Sequence, residues 1–180
     1  MAACCVLGLL GGIGSGKSTA AAILAEQGAR VLDADAMCTE LLHEPDVRAE
    51  IEERWGRAAF GPGGALDRDT MADRVFTDPA ERRALEAILH PRVVERITRA
   101  VERCRADDSC ELCVIDAPLL LESGLIDLCD ATVFIDCEEP ERYARLARDR
   151  GWTADEARRR EPAQAPLAET RAPPGATLVT

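Results

Sequence analysis

The sequence predicts an α/β fold, a parallel sheet with helices on both faces, and three observations carry that prediction. Short apolar runs of strand length alternate with longer helical patterns along the chain. The first run ends in a glycine-rich loop that opens directly into a helix. Two later runs end in aspartate, Asp33 and Asp116, at the edge where open α/β sheets bind ligands.

Taken in order, Cys4-Cys5-Val6-Leu7-Gly8-Leu9-Leu10 is long enough for one buried strand. Gly11-Gly12-Ile13-Gly14-Ser15-Gly16-Lys17-Ser18-Thr19 then fills every fixed position of the phosphate-loop pattern G-x-x-x-x-G-K-[ST]. Lys17 is the sole lysine of the chain, every other fixed basic charge being arginine. A slim ammonium can lie along the β- and γ-phosphates, whereas a planar guanidinium would crowd the loop. Gly12 to Thr19 are therefore the candidate nucleotide-binding residues, with the Ser18 hydroxyl directed to Mg²⁺. Thr19 to Gln27 reads as a helix closed by Gly28.

A second strand, Arg30-Val31-Leu32-Asp33, precedes Asp35 and a helical pattern to Leu42, with Asp35 the candidate cap. From Pro45 to about Arg105 the pattern is helical, with apolar stripes at Val47, Ile51, Trp55 and at Leu85, Ile88, Leu89, Val93, Val94, Ile97. Gly61-Pro62-Gly63-Gly64 separates them, and the stretch predicts a helical subdomain over 45–107. Within it, Pro91 is expected at a helix N1 position after His90. Leu112 to Asp116 and Ala131 to Asp136 are further strands, and Ala176 to Thr180 is a fifth. Pro140 to Arg150 is a helix, and Thr153 with Glu156 forms a capping box for the next.

Composition narrows the function classes. A chain of 180 residues has room for one core with a lid or small subdomain. The net charge of −11 argues against a nucleic-acid scaffold, since phosphate backbones are gripped by basic surfaces. No apolar run of membrane-spanning length and no leader pattern is read, so no membrane partner is expected and the chain reads as cytoplasmic. Of eight cysteines, several sit in apolar strands as small hydrophobes; Cys110-x-x-Cys113 has zinc spacing but no evident second pair.

Asp33 could accept the proton of an attacking hydroxyl, or cap the helix that follows it. Asp116 ends the third strand after an apolar run, which resembles a Walker B position, able to hold a water on Mg²⁺ or to cap the turn before Pro118. Arg142 and Arg145 share a helix face and offer forked donors to a phosphoryl group, or pair with the nearby glutamates. His90 reads from spacing alone as a packed or capping residue.

Together these segments resemble the dephospho-coenzyme A kinase family over about Val6 to Leu178. The phosphate loop followed by Asp33-Ala34-Asp35 is similar to the family's opening. Ile88-Leu89-His90-Pro91 resembles its histidine–proline signature, and Asp116-Ala117-Pro118-Leu119-Leu120-Leu121-Glu122-Ser123-Gly124 its third-strand motif. Arg145, Arg160 and Gln164-Ala165-Pro166-Leu167 resemble its lid. The resemblance implies a P-loop kinase fold with a five-stranded core (1–44, 108–138 and 174–180), a helical coenzyme-A-binding subdomain and a lid over about 139–173. It implies ATP-dependent phosphorylation of the ribose 3′-hydroxyl of dephospho-coenzyme A with Mg²⁺, in a monomer or weak homo-oligomer. Asp33 is then the base, Lys17 and Arg145 act on the transferring phosphate, Arg142 binds nucleotide, and Asp116 joins Ser18 at the metal. His90, Pro91, Pro118 and Leu119, with Asp33, contact the acceptor.

Some positions depart from the family. Leu10 replaces a common threonine, Pro162 falls in the second lid helix, and Pro173-Pro174-Gly175 precedes the last strand. The sequence stops at Thr180, where the family continues through a loop beside adenine and a final helix, so it reads as C-terminally shortened. Two other readings stay open at this point: another small-molecule P-loop kinase, and a nucleotide- or coenzyme-A-binding paralogue without turnover.

Overall fold

The computed structural model describes residues 4–61, 63–161 and 176–179. In chain order the elements are β1 (Cys5–Leu10), α1 (Lys17–Glu26), β2 (Arg30–Asp33), α2 (Ala34–Leu41), α3 (Pro45–Trp55), α4 (Arg68–Thr77) and α5 (Pro79–Ala106). They continue with β3 (Leu112–Asp116), β4 (Ala131–Ile135), α6 (Glu139–Arg150), α7 (Ala154–Arg160) and β5 (Ala176–Val179). The strands form one parallel sheet in the order β2-β3-β1-β4-β5. β1 lies at its centre, so the loop leaving β1 emerges where flanking connections run to opposite sides of the sheet.

Between their ends the strands are largely apolar because both faces are covered. Leu7, Leu9, Val31, Val114 and Val133 pack with Ala20, Ala21 and Leu24 of α1. On the alternate positions, Cys104 near the end of α5 meets Cys113 of β3. A period of two places successive residues on opposite faces, so a run with no polar interruption is what a doubly covered strand requires.

The chain divides into two compact units, Met1–Ala34 with Ile97–Thr180, and Asp35–Arg96. The first holds the sheet. The second begins and ends about ten residues earlier than the 45–107 expected, and its far boundary falls inside α5. Within it, Val47, Ile51 and Trp55 form a buried stripe of α3, and the Trp55 indole donates to Glu81. Arg92 pairs with Glu50 at 2.5 Å, and Arg96 with Glu44 and, at 3.2 Å, Glu40.

Pro91 corrects an expectation. It lies inside the 28-residue helix α5 rather than at a helix start. The helix continues through it, the Arg92 guanidinium donating to the Ile88 carbonyl at 2.7 Å in the same turn. A proline there removes one backbone bond, yet Val93 and Ile97 in the turns that follow are buried and hold the helix beyond it. Asp35 likewise falls in the first turn of α2 rather than ahead of it, where its carboxylate still suits the helix N-terminus.

The expected capping box at Thr153 and Glu156 is formed, with the Glu156 amide donating to the Thr153 hydroxyl at 3.2 Å. All eight cysteines are free thiols. The structure brings Cys4 and Cys104 beside the Cys110-x-x-Cys113 pair, Cys4 and Cys110 having their sulfurs 3.2 Å apart. These four are buried, and among the described residues no group of three or more potential ligands is arranged to hold a metal ion. Burial pushes the Cys110 and Cys113 thiols up, which suits small apolar side chains better than ligands. Pro162, Gln164 to Leu167 and Pro173 to Gly175 lie outside the described residues.

Candidate active site

The glycine loop follows β1 and turns into α1. Gly11 has φ +145°, and a Cβ there would lie 2.6 Å from the Ser15 hydroxyl and 2.7 Å from the Ile135 carbonyl. Gly14 has φ +76°, and its Cβ would lie 2.9 Å from both the Arg142 carbonyl and Leu146. Both conformations belong to glycine, and both close approaches demand it. α1 starts after Gly16 with no side-chain cap on its first amides, an arrangement that leaves them to a bound anion. The Ser15 hydroxyl is buried and has no hydrogen-bond partner in the structure. A phosphate oxygen in the loop is the acceptor such a donor lacks.

Lys17 folds back over its own loop, its ammonium donating to the Gly11 carbonyl at 2.6 Å and to Gly12 at 3.1 Å. Those carbonyls are the ground the ammonium would leave for a phosphate. Ser18 and Thr19 are exposed in the first turn of α1.

Asp33 and Asp116 end neighbouring strands and are register partners across them. Asp33 is exposed, whereas Asp116 is 7 % exposed. Burial pushes the Asp116 carboxyl above its ordinary value and the Asp33 charge adds to the rise. A hydrogen bond from the Ser18 hydroxyl and the nearby Lys17 ammonium oppose it. Asp116 thus gathers Ser18, Lys17 and Asp33 around one carboxylate. Pro118 and Leu119 follow directly, Pro118 exposed and Leu119 half-buried.

α6 flanks the other side of the loop. Arg142 donates to the Ile13 carbonyl and Arg145 to the Ser15 carbonyl, each at 3.1 Å. Arg145 is partly exposed and also pairs with Glu141. Arg142 is 3 % exposed, with its guanidinium held by Glu161 at 2.7 Å. Tyr143 donates to the second Glu161 oxygen at 3.1 Å. Neither Glu161 nor Tyr143 is marked in the sequence, for no local pattern links positions eighteen or nineteen apart in the chain. His90 and Pro91 are exposed and belong to the Asp35–Arg96 unit.

A family model described as dephospho-CoA kinase matches residues 5–178. The chain belongs to the dephospho-CoA kinase family. It is 44 % identical over 170 residues to a dephospho-CoA kinase of Anaeromyxobacter dehalogenans, covering 93 % of this chain and 79 % of the relative. It is 39 % identical over 162 residues to one from Corynebacterium glutamicum, covering 89 % and 80 % respectively. Among solved structures, TT1252 from Thermus thermophilus shares 32 % identity with a TM-score of 0.80, covering 99 % of this chain and 90 % of that one. No helix among the described residues is long and apolar enough to cross a membrane.

Proposed function

We infer that this chain transfers the γ-phosphoryl group of ATP to the ribose 3′-hydroxyl of dephospho-coenzyme A, giving coenzyme A and ADP. The observation that carries the reading is the gathering of Ser18, Lys17 and Asp33 around Asp116, beside a phosphate loop, in a chain the family model matches from 5 to 178. The loop amides and the Ser15 hydroxyl would cradle the β- and γ-phosphates, and Lys17 would exchange its loop carbonyls for phosphate oxygens. Ser18 and Asp116 supply hard oxygen donors that fit Mg²⁺, an ion that neutralises phosphate charge when bound. Asp33, exposed at the strand end, takes the proton of the acceptor hydroxyl as its oxygen forms the new bond to phosphorus. The bond to the bridging oxygen breaks at the same centre and ADP departs with the electron pair.

Arg145 already reaches the loop from the side and has exposed surface left, which suits it to the charge that builds on the transferring group. Pro118, Leu119, His90 and Pro91 are assigned to the acceptor by resemblance. The α6–α7 segment forms the start of a lid whose closure would exclude water from the phosphoryl group. Soluble, cytoplasmic action as a monomer or weak homo-oligomer completes the reading.

An acceptor panel tests it. Mass spectrometry of dephospho-coenzyme A, a nucleoside monophosphate and shikimate, each incubated with Mg-ATP, should show a phosphoryl gain on dephospho-coenzyme A alone. Phosphorylation of another acceptor in preference would assign the chain to a different small-molecule kinase activity.

A further inference from the structure

Arg142 carries a full charge into a site where its side chain is 4 % exposed. A guanidinium there is tolerated only with an anion beside it, and Glu161, just past α7, is that anion at 2.7 Å. The same nitrogen, Nη1, donates to the Ile13 carbonyl at 3.1 Å, while Nε is buried without a partner. Nη1 of the guanidinium is thus shared between the loop backbone and Glu161. That geometry gives it a task besides the nucleotide contact expected of it.

In a trans peptide the carbonyl and the following N–H point in opposite directions. Holding the Ile13 carbonyl toward α6 therefore turns the Gly14 N–H away from α6. Arg145 does the same to the next-but-one peptide, holding the Ser15 carbonyl and turning the Gly16 N–H away. The close approach of Gly14 to the Arg142 carbonyl and Leu146 keeps helix and loop in contact at this point. Tyr143 fixes the second carboxylate oxygen of Glu161 at 3.1 Å, so the anion has a defined place.

We propose that Glu161 is a positioning residue for nucleotide: by anchoring Arg142 on the Ile13 carbonyl, it presents the Gly14 N–H to the bound phosphate. The proposal rests on the phosphate-loop reading above and adds a residue outside the loop to it. It also ties the end of α7 to the loop, so a change at position 161 reaches the phosphates without touching them.

The experiment compares the unmodified chain with Glu161→Ala, Glu161→Gln and the double variant Arg142→Met/Glu161→Leu. It measures KM for Mg-ATP, KM for dephospho-coenzyme A, kcat, the melting temperature and direct Mg-ATP binding. Glu161→Ala should raise the KM for Mg-ATP about tenfold or more, as small misplacements of binding groups do, with the acceptor KM unchanged. Glu161→Gln, which keeps an acceptor for Arg142, should fall between. The double variant removes the buried charge together with its partner, so it should regain the melting temperature. Its KM for Mg-ATP should stay raised, because the anchor on Ile13 is gone. Wild-type nucleotide affinity in the double variant would show that only an unpaired charge mattered, and would overturn the proposal. So would an unchanged KM in Glu161→Ala. Failure of the unmodified chain to bind Mg-ATP would instead refute the phosphate-loop reading itself, and is read separately by the binding measurement.

Discussion

Asp116 shows how one side chain can work against the fold it belongs to. Its carboxyl is held above the ordinary value mainly by burial, so the folded chain binds that proton more tightly than the unfolded chain does. Stability is therefore lost as the pH rises from the ordinary carboxylate value through the raised one. Asp116→Asn should melt higher than the parent at pH 7, with the advantage shrinking as the pH falls into the carboxylate range. An advantage of the same size at every pH would show that charge is not its origin. The same variant should lose Mg²⁺-dependent turnover, since the carboxylate that costs stability is the one beside Ser18. Asp33 and Asp116 were legible in the sequence because each ends a short apolar run, and strand ends are where a parallel sheet exposes its chemistry. The Arg142–Glu161 pair was not, because its members meet only after two helices have folded.

At the scale of elements, local chemistry announced the loop, the strands and the capping box, while tertiary packing decided α5. A proline disfavours helix at the residue before it, and the sequence pattern reads as a break at His90. The structure instead carries α5 through Pro91 over 28 residues. A proline in a helix interior costs about 3 kcal/mol relative to alanine. Pro91→Ala should therefore raise stability in urea unfolding by up to about that amount, without a change of fold. The resemblance places Pro91 at the acceptor, so the same variant should raise the KM for dephospho-coenzyme A and leave that for ATP alone. A stabilised variant with unaltered acceptor KM would make Pro91 a tolerated irregularity with no part in the site. Thr153→Ala removes the capping box at α7 and should cost about 1 kcal/mol. The four-thiol cluster was invisible at this scale, since Cys4 and Cys110 lie 106 residues apart and no spacing rule reaches so far.

For the whole molecule, an acidic chain of net charge −11 binds a polyanion through a few local features, not through its overall field. In the proposed reading the glycine loop, Lys17 and Arg145 supply them, and all three belong to the same compact unit. Mg-ATP should then stabilise the chain by mass action, by about 2.7 kcal/mol at a hundred times its dissociation constant. Lys17→Ala should abolish most of that rise in melting temperature, and an equal rise in both proteins would place the nucleotide elsewhere. In the proposed mechanism the phosphate loop and Asp33 together move a phosphoryl group to dephospho-coenzyme A. Its most direct test is mass-spectrometric detection of coenzyme A formed from Mg-ATP and dephospho-coenzyme A by the parent, Lys17→Ala and Asp33→Asn. Product with the parent, a loss of about 100-fold or more in both variants, and retained Mg-ATP binding in Asp33→Asn is the predicted result. No product from a parent that binds both ligands, or undiminished turnover in Asp33→Asn, would contradict it.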